Sequence, residues 1–231
     1  SFISLGQGTD SINFGTGLGT IAGGGLADTI NLGNAAAAAG VVVFGDAVGV
    51  TTEGTGTGGA ADGDDLISLT AFGAASTTVY GGGANDTIVF GNFAASGLAD
   101  GGNGADVIGA TTATLAESTL AGGNGQDTIT IGGGFASGLI LGGAGADSIR
   151  ILSSIAFTAG SINGGEGNDT ISLTQTGGAA AAASIGTVNG GAGADVISFN
   201  PTGVGFAASA ASGAFVGNVV YHLYRPCNRH R

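Results

Sequence analysis

Short stretches in which apolar and polar residues alternate recur along most of the chain, at steps of 18 to 26 residues. Asp28-Thr-Ile-Asn-Leu32 and Asp127-Thr-Ile-Thr-Ile131 are representative. Alternation over four or five residues is typical of a β-strand with one buried face. The second and fourth residues after each Asp are therefore predicted to point inward, among them Ile12, Phe14, Ile30, Leu32, Ile88, Phe90, Ile171 and Leu173.

A second, weaker strand pattern precedes each of these stretches, as in Gly19-Thr-Ile-Ala22, Thr77-Thr-Val-Tyr80 and Gly138-Leu-Ile-Leu141. Each period thus holds two short strands and two turns, without a helical pattern of useful length. A period of about 20 residues sustained over most of a chain predicts a solenoid. Coils stacked about 4.8 Å apart would form two parallel sheets that face each other across a thin aliphatic core.

A ladder of aspartates marks the start of the stronger strands. Its predicted members are Asp10, Asp28, Asp46, Asp65, Asp86, Asp106, Asp127, Asp147, Asp169 and Asp195. A Gly-Gly-x-Gly-x-Asp turn ends at five of them without exception: Asp106, Asp127, Asp147, Asp169 and Asp195. The turns at Asp10, Asp65 and Asp86 are degraded, the turn at Asp28 has Leu in place of its third glycine, and the sequence before Asp46 has lost the pattern almost entirely.

The glycine-rich turns predict calcium sites. Glycine adopts positive φ and lets backbone carbonyls converge, while Ca²⁺ takes six to eight oxygens in flexible geometry and Mg²⁺ demands a near-ideal octahedron. Half of each shell is expected from one turn and half from the next. The predicted metal-site residues are Asp10, Asp65, Asp86, Gly102, Gly104, Asp106, Gly123, Gly125, Asp127, Gly143, Gly145, Asp147, Gly165, Gly167, Asp169, Gly191, Gly193 and Asp195.

The alternative interpretation of the ladder is a series of structural turns, because Asp favours turns and tolerates left-handed backbone. That interpretation is preferred for Asp46 and is left open for Asp28. Other polar residues occupy variable motif positions, where they either add a ligand or simply face solvent: Asp62, Asp64, Asn103, Asn124 and Glu166. Carboxylates stacked at about 4.8 Å repel by on the order of 3 kcal/mol per pair at an effective dielectric of 20. Calcium binding is therefore expected to supply folding free energy.

The turn with its trailing aliphatic strand resembles the repeats-in-toxin (RTX) nonapeptide, Gly-Gly-x-Gly-x-Asp-x-aliphatic-x. The resemblance covers residues 6 to about 199 and is strong from residue 101. It implies a parallel β-roll, calcium-dependent folding and export from a Gram-negative cell; members include cytolysins, secreted hydrolases, adhesins and surface-layer proteins. The chain departs from the family because only one of the two turns per coil is a calcium turn, which predicts a single row of ions.

The expected fold is therefore all-β, a right-handed parallel β-roll or β-solenoid of about ten coils with two short strands each and calcium turns along one edge. Residues 1–100 would form a β-roll of degenerate repeats, and residues 101–200 its continuation with strict repeats. Residues 201–231 would form a C-terminal strand region and a basic tail. The tail holds three of the four Arg residues and both His residues, and reads either as a docking strand or as a boundary artefact.

Composition and charge exclude several functions. The net charge is -12, with 16 acidic residues against 4 basic ones, which argues against nucleic-acid binding and against an anionic membrane surface. Apolar runs such as residues 35–45 are too short for membrane insertion, which takes roughly 20 residues. Both His residues, His222 and His230, lie in the tail, so a Ser-His-Asp triad has no plausible base. We expect no enzymatic activity.

The predicted function is that of a calcium-binding structural protein, secreted or at the cell surface, which assembles into a surface layer or extracellular filament. Its expected partners are copies of itself or neighbouring repeats of a longer chain, and cell-surface polysaccharide. The alternative is a calcium-triggered secretion and folding module of a larger toxin, adhesin or hydrolase. An ice-binding solenoid is a minor alternative, suggested by outward pairs such as Thr128/Thr130. The same positions in other repeats hold Ala47/Gly49 and Ser148/Arg150, so the face is irregular.

Overall fold

Parallel β-strands make up the architecture. The computed structural model describes residues 2–14, 19–33, 40–46, 62–69, 77–91, 96–110, 115–133, 135–153, 160–175, 187–201, 214–216 and 222–223. Within these residues the chain forms twenty strands and no helix. The fold is a parallel β-solenoid, as the repeat period predicted. Of the basic tail, only His222–Leu223 falls inside the described residues, so both interpretations of the tail lie outside them.

Alternate strands belong to opposite sheets. The first sheet contains, in spatial order, β1 (Phe2–Gln7), β3 (Thr20–Gly25), β5 (Val42–Asp46), β7 (Thr78–Gly82), β9 (Leu98–Asn103), β11 (Leu115–Asn124), β13 (Phe135–Ala144), β15 (Ser161–Glu166), β17 (Thr187–Ala192) and β19 (Ala214–Val216). The second contains β2 (Ser11–Phe14), β4 (Thr29–Leu32), β6 (Leu66–Leu69), β8 (Thr87–Phe90), β10 (Val107–Ala110), β12 (Thr128–Ile131), β14 (Ser148–Ser153), β16 (Thr170–Gln175), β18 (Val196–Pro201) and β20 (His222–Leu223).

Neighbouring strands pair in parallel and in a register that stacks like positions of successive repeats. Ile108 of β10, for example, pairs with Ile88 on one side and Ile129 on the other. The same holds in the first sheet, where Leu120 pairs with Ala99 and Ile140. Because the side-chain period of a strand is two residues, this register places every inward position on the same face.

The core is a thin aliphatic layer between the two sheets. The predicted inward residues Ile30, Leu32, Ile88, Phe90, Ile171 and Leu173 are buried, and Ile12 is partly buried against them. The side chain of Phe14 lies outside the described part. Isoleucine dominates the second sheet's contribution, at Ile30, Ile67, Ile88, Ile108, Ile129, Ile149, Ile171 and Ile197. β-branched side chains suit a pleated, tightly spaced surface of this kind.

One predicted rung of the aspartate ladder is wrong. Asp46 does not precede a strand of the second sheet but ends β5 in the first sheet, where it pairs with Gly24. The strand that pairs with β4 in the second sheet is β6, which follows Asp65. The step of 18 residues from Asp28 to Asp46 matches the repeat period by coincidence, since the alternating residues Val41–Phe44 precede Asp46 instead of following it.

The outer face of the second sheet mixes hydroxyl and apolar side chains. Leu66, Val107 and Val196 are 40%, 44% and 39% exposed and share one register column with Thr87, Thr128 and Ser148. Arg150 projects from the neighbouring column. The predicted outward pair Ala47 and Gly49 lies outside the described residues. Separately, the described residues contain no helix with the length and hydropathy needed to cross a bilayer.

The core predicts a sharp contrast between two adjacent positions of β12. Ile129→Ala removes a fully buried side chain and should lower the free energy of unfolding by about 2–5 kcal/mol. Thr128→Ala, on the exposed face of the same strand, should cost less than about 1 kcal/mol. Urea unfolding followed by circular dichroism measures both. Equal losses would contradict the assignment of the two faces.

Candidate functional site

The turn between each first-sheet strand and the following second-sheet strand depends on glycines at two positions. In the copy at residues 122–127, Gly123 and Gly125 have φ of 114° and 136°, a region that side-chain-bearing residues rarely adopt. A Cβ at Gly123 would collide with the carbonyl oxygen of Gly102 in the neighbouring turn. The degraded copies place Leu26 and Ala84, both with φ of 71°, where the strict copies have the third glycine of the motif.

A ladder of hydrogen bonds joins the turns through their aspartates. The Oδ1 atom of each Asp accepts the backbone N–H of the Asp in the preceding turn; Asp127 Oδ1, for instance, accepts the N–H of Asp106 at 2.9 Å. Eight such bonds, 2.6 to 3.0 Å long, link the following residues in order: Asp10, Asp28, Asp65, Asp86, Asp106, Asp127, Asp147, Asp169 and Asp195. We call this set the aspartate ladder. Asp28, left open by the sequence, belongs to it.

The second carboxylate oxygen of every ladder residue is buried and has no hydrogen-bond partner. This is true of Oδ2 in Asp10, Asp28, Asp65, Asp86, Asp106, Asp127, Asp147, Asp169 and Asp195. A buried polar atom without a partner is costly. Nine of them in one row are not an accident of packing, and each calls for a proton or a cation.

The first glycine of each motif lies against this unpartnered oxygen. A Cβ at Gly101 would collide with Asp106 Oδ2 and with the carbonyl oxygen of Gly122 in the next turn. The same pair of contacts recurs at Gly122, where the two oxygens belong to Asp127 and Gly142. Seven levels, from Asp28 to Asp169, therefore bring together one carboxylate oxygen and one carbonyl oxygen. The first glycines were not among the predicted metal-site residues, although their presence in all five strict copies of the motif is a signal that could have identified them.

The remaining predicted site residues fall into two columns beside the ladder. Gly102, Gly123, Gly143, Gly165 and Gly191 form the second-glycine column and pair in register along the first sheet. Gly104, Gly125, Gly145, Gly167 and Gly193 form the third-glycine column, and a Cβ on any of them would strike the backbone of the preceding turn. Backbones thus approach closely at both columns, while the carbonyl that lies with an unpartnered Oδ2 around a first glycine is that of the first glycine in the next turn.

The carboxylate and carbonyl oxygens at the ladder are of the type that binds a hard cation. Carboxylate and carbonyl oxygens are the ligands that Ca²⁺ takes. Among the residues that the structure describes, however, no three acidic, His or Cys side chains converge closely enough to hold a metal. Each level of the ladder would contribute one carboxylate, so backbone carbonyls and water would have to complete the shell.

Asp46 occupies the position of a second glycine. Gly45 meets Asp65 Oδ2 and the Gly81 carbonyl, as the other first glycines do, and Asp46 follows it. The N–H groups of Gly63 and Gly83 donate to Asp46 Oδ1 and Oδ2, both at 3.3 Å. The motif that begins at Gly45 is thus divided by residues 47–61, continues at Asp62 and ends at Asp65. Unlike the ladder residues, Asp46 has a backbone N–H donor at each of its two carboxylate oxygens.

A second set of side-chain bonds runs along the exposed side of the turns. Asp64 Oδ1 accepts the N–H of Asn85 at 2.9 Å, and Asn85 Oδ1 accepts that of Ala105 at 2.8 Å. Asn168 Oδ1 accepts the N–H of Ala194 at 2.8 Å. Asp64 was predicted either to add a metal ligand or to face solvent, and Asn85 and Asn168 were not predicted as site residues. Their place one residue before a ladder Asp was the available signal.

Burial controls the protonation of the ladder. It raises the pKa of Asp86 to about 8 and that of Asp65 to about 7, and it raises the pKa values of Asp106 and Asp147 to about 6. The N–H group that each carboxylate accepts works in the opposite direction, and the charges of neighbouring aspartates add a smaller upward shift. Without a cation, protons would neutralise part of the ladder near neutral pH.

The chain matches no protein-family model, no curated protein and no solved structure.

The raised pKa values predict that the cation-free protein is most stable in acid. Between about pH 4 and pH 8 the unfolded carboxyls ionise while the folded ones retain protons, so the free energy of unfolding falls with rising pH. This stabilisation is complete below the unfolded pKa of 3.8 and is lost as pH passes the folded pKa values. Thermal melts in chelator across that range measure it; stability that rises with pH would contradict the prediction.

Asp86→Asn should flatten this pH dependence. The amide oxygen can still accept the N–H of Asp65, while the amide NH₂ replaces the unpartnered oxygen with a donor. We expect the variant to be more stable than the parent at pH 8 in chelator and to differ little at pH 4. A variant that is less stable than the parent at pH 8 would show that Oδ2 is not an unmet acceptor.

The first glycines predict a contrast between two Gly→Ala substitutions. Gly122→Ala places a methyl group against Asp127 Oδ2 and the Gly142 carbonyl and should cost about 1–3 kcal/mol of stability. Gly109→Ala meets nothing within 4 Å and should change stability by less than about 0.5 kcal/mol. Urea unfolding compares them, and a harmless Gly122→Ala would refute the close packing described here.

Proposed function

We propose that this protein is a calcium-stabilised structural protein of the bacterial exterior. The observation that most strongly supports this proposal is a row of nine buried carboxylate oxygens along one edge of the solenoid, none of which has a hydrogen-bond donor. In the proposed form, Ca²⁺ ions bind between successive turns on this edge, and the chain winds as a right-handed β-roll of about ten coils with two strands each. Right-handed crossovers between parallel strands are strongly favoured, which supports the handedness.

Calcium accounts for the unpartnered oxygens better than other cations. Its ligands are oxygens, and it tolerates irregular coordination, whereas Mg²⁺ needs a near-ideal octahedron. Nitrogen and sulfur ligands are scarce, because the chain has 2 His and 1 Cys. Extracellular calcium modules bind in the range of about 10⁻⁴–10⁻³ M, so the ladder would be neutralised outside a cell and repulsive in a calcium-poor cytosol.

A structural role is consistent with the repetition of the site. Seven consecutive levels of the aspartate ladder, from Asp28 to Asp169, repeat one arrangement of one carboxylate and one carbonyl, which distributes stability along a rod instead of building a single centre. In repeat proteins of this kind, stability is the sum of repeat and interface terms. Parallel sheets can also be extended at their edges by further strands, from neighbouring repeats of a longer chain or from another copy, and we propose this as the route to a surface layer or filament.

Calcium should bind to the ladder and raise its stability. We expect Ca²⁺ at millimolar concentration to raise the melting temperature at pH 8, and chelator to reverse the effect, with calorimetry reporting several ions per chain. Asp127→Asn should lower the stoichiometry and the thermal shift. Glu117→Gln removes the same charge from the opposite end of β11 and should leave both unchanged. A melting temperature and strand signal indifferent to calcium would end the proposal.

Assembly is tested separately by electron microscopy on the full chain after addition of calcium. Lattices or fibres that dissolve in chelator are the expected result. A calcium-bound protein that stays monomeric would contradict the assembly role and would favour the alternative, a calcium-triggered folding module of a larger secreted protein.

A further inference from the structure

A trough with a glycine floor runs across the outer face of the first sheet, beside the aspartate ladder. It encloses about 630 Å³ and crosses β7, β9, β11, β13 and β15. Gly82, Gly102, Gly123 and Gly143 form its floor. These are second glycines of the motif, so the trough is a direct consequence of the turn sequence.

The walls of the trough carry one aromatic ring, two carboxylates and two amides. Tyr80 and Asp100 stand on one side, and Asn103, Asn124 and Glu166 stand on the other. Four strand steps of about 4.8 Å separate Tyr80 from Glu166, so the trough is about 19 Å long. Its size lies within the usual range for ligand pockets, about 300–1,000 Å³, and its shape suits an extended ligand.

Tyr80 stands at the aromatic end of the trough. Because the side chain of its in-register neighbour Asp100 is the shorter one, the outer part of one Tyr80 ring face extends past it. The Tyr80 ring stacks on Phe44 with centroids 5.2 Å apart and an interplanar angle of 10°. Phe44 belongs to β5, on the side of β7 away from β9, so the other face of the Tyr80 ring is turned along the trough towards Asp100. An apolar ring surface of this kind packs against the C–H face of a ligand ring.

The polar walls offer both donors and acceptors. Asn124 Nδ2 donates to Asn103 Oδ1 at 2.8 Å, which fixes the two amides side by side and directs the remaining amide groups outwards. Asp100 lines the trough and is partly buried. A half-desolvated carboxyl gains from ligand hydroxyl donors.

We propose that this trough binds a neutral, extended oligosaccharide, with one sugar ring on Tyr80 and the hydroxyls of the following rings on Asp100, Asn103 and Asn124. The inference adds a binding site and a ligand class to the surface role proposed above. Sugars combine an apolar ring face with many hydroxyls, which is the combination that the walls match.

Other ligand classes fit less well. A phosphate-bearing chain would meet only acidic or neutral groups. An extended peptide could not add as a strand, because the strands beneath the trough already pair on both sides. A basic peptide would find only two carboxylates, Asp100 and Glu166, about 14 Å apart across three strand steps, with neutral groups between them.

The test uses the full chain in calcium on an array of neutral and anionic glycans, followed by calorimetry with the neutral glycan that binds best. Tyr80→Ala should weaken binding at least tenfold, and Tyr80→Phe should keep most of it because the ring remains. Asn124→Ala, at an exposed position, should weaken binding several-fold without loss of stability. Thr130→Ala, on the second sheet, is the control and should bind like the parent.

Three results would overturn the proposal: no glycan bound by folded protein, binding only to anionic glycans or to a lysine-rich peptide probe, or equal binding by the parent and the three trough variants. The array is also probed in chelator at pH 4, with circular dichroism as the check of folding. If calcium does not bind, the melting temperature will not respond to calcium. If the trough does not bind glycan, only the array result will be negative.

Discussion

The hydrogen bond that each ladder Asp after Asp10 accepts from the backbone N–H of the preceding ladder Asp is the interaction on which the solenoid depends. It fixes the spacing between turns, because Oδ1 reaches the N–H of the neighbouring Asp at 2.6 to 3.0 Å in all eight pairs. It also fixes the orientation of the carboxyl group, which buries Oδ2 against the first glycine of its own motif. The same bond thus joins the turns and creates a row of unmet acceptors.

That row links the fold to the proposed function. Burial raises the pKa values of the ladder carboxyls, so in the absence of a cation the folded state retains protons on them. At acid pH protons suffice. At the pH of most exteriors, a divalent cation would neutralise carboxylates that otherwise repel along the rod. The second glycines of the same motifs leave a strip of the outer surface of the first sheet without side chains, and this strip forms the floor of the trough.

Much of the fold could be predicted from the sequence, because period and alternation are properties of the chain itself. The inward positions Ile30, Ile88 and Ile171 and the pairing of like positions follow from repeats of nearly constant length. The place of Asp46 could not be predicted from spacing alone, because Asp46 lies 18 residues after Asp28 and 19 before Asp65, and both steps match the repeat period. The alternation before Asp46 was the sign that it ends a first-sheet strand.

The site was predictable in its residue types and less so in its geometry. The acidic ladder follows from the motif, whereas the choice of carbonyl does not: the first glycine lies beside Oδ2, and the second and third glycines pack against neighbouring backbone. That distinction depends on φ angles and on contacts between turns, which a single repeat does not encode. The roles of Asn85 and Asn168 likewise arise only once turns are stacked.

The most direct test of the central claim is an anomalous-difference electron-density map from crystals grown in millimolar CaCl₂. The account predicts a row of calcium peaks along one edge, each in contact with the Oδ2 atom of a ladder Asp such as Asp106 or Asp127. An edge without peaks, with each Oδ2 bonded as a protonated carboxyl to a neighbouring carbonyl, would contradict it.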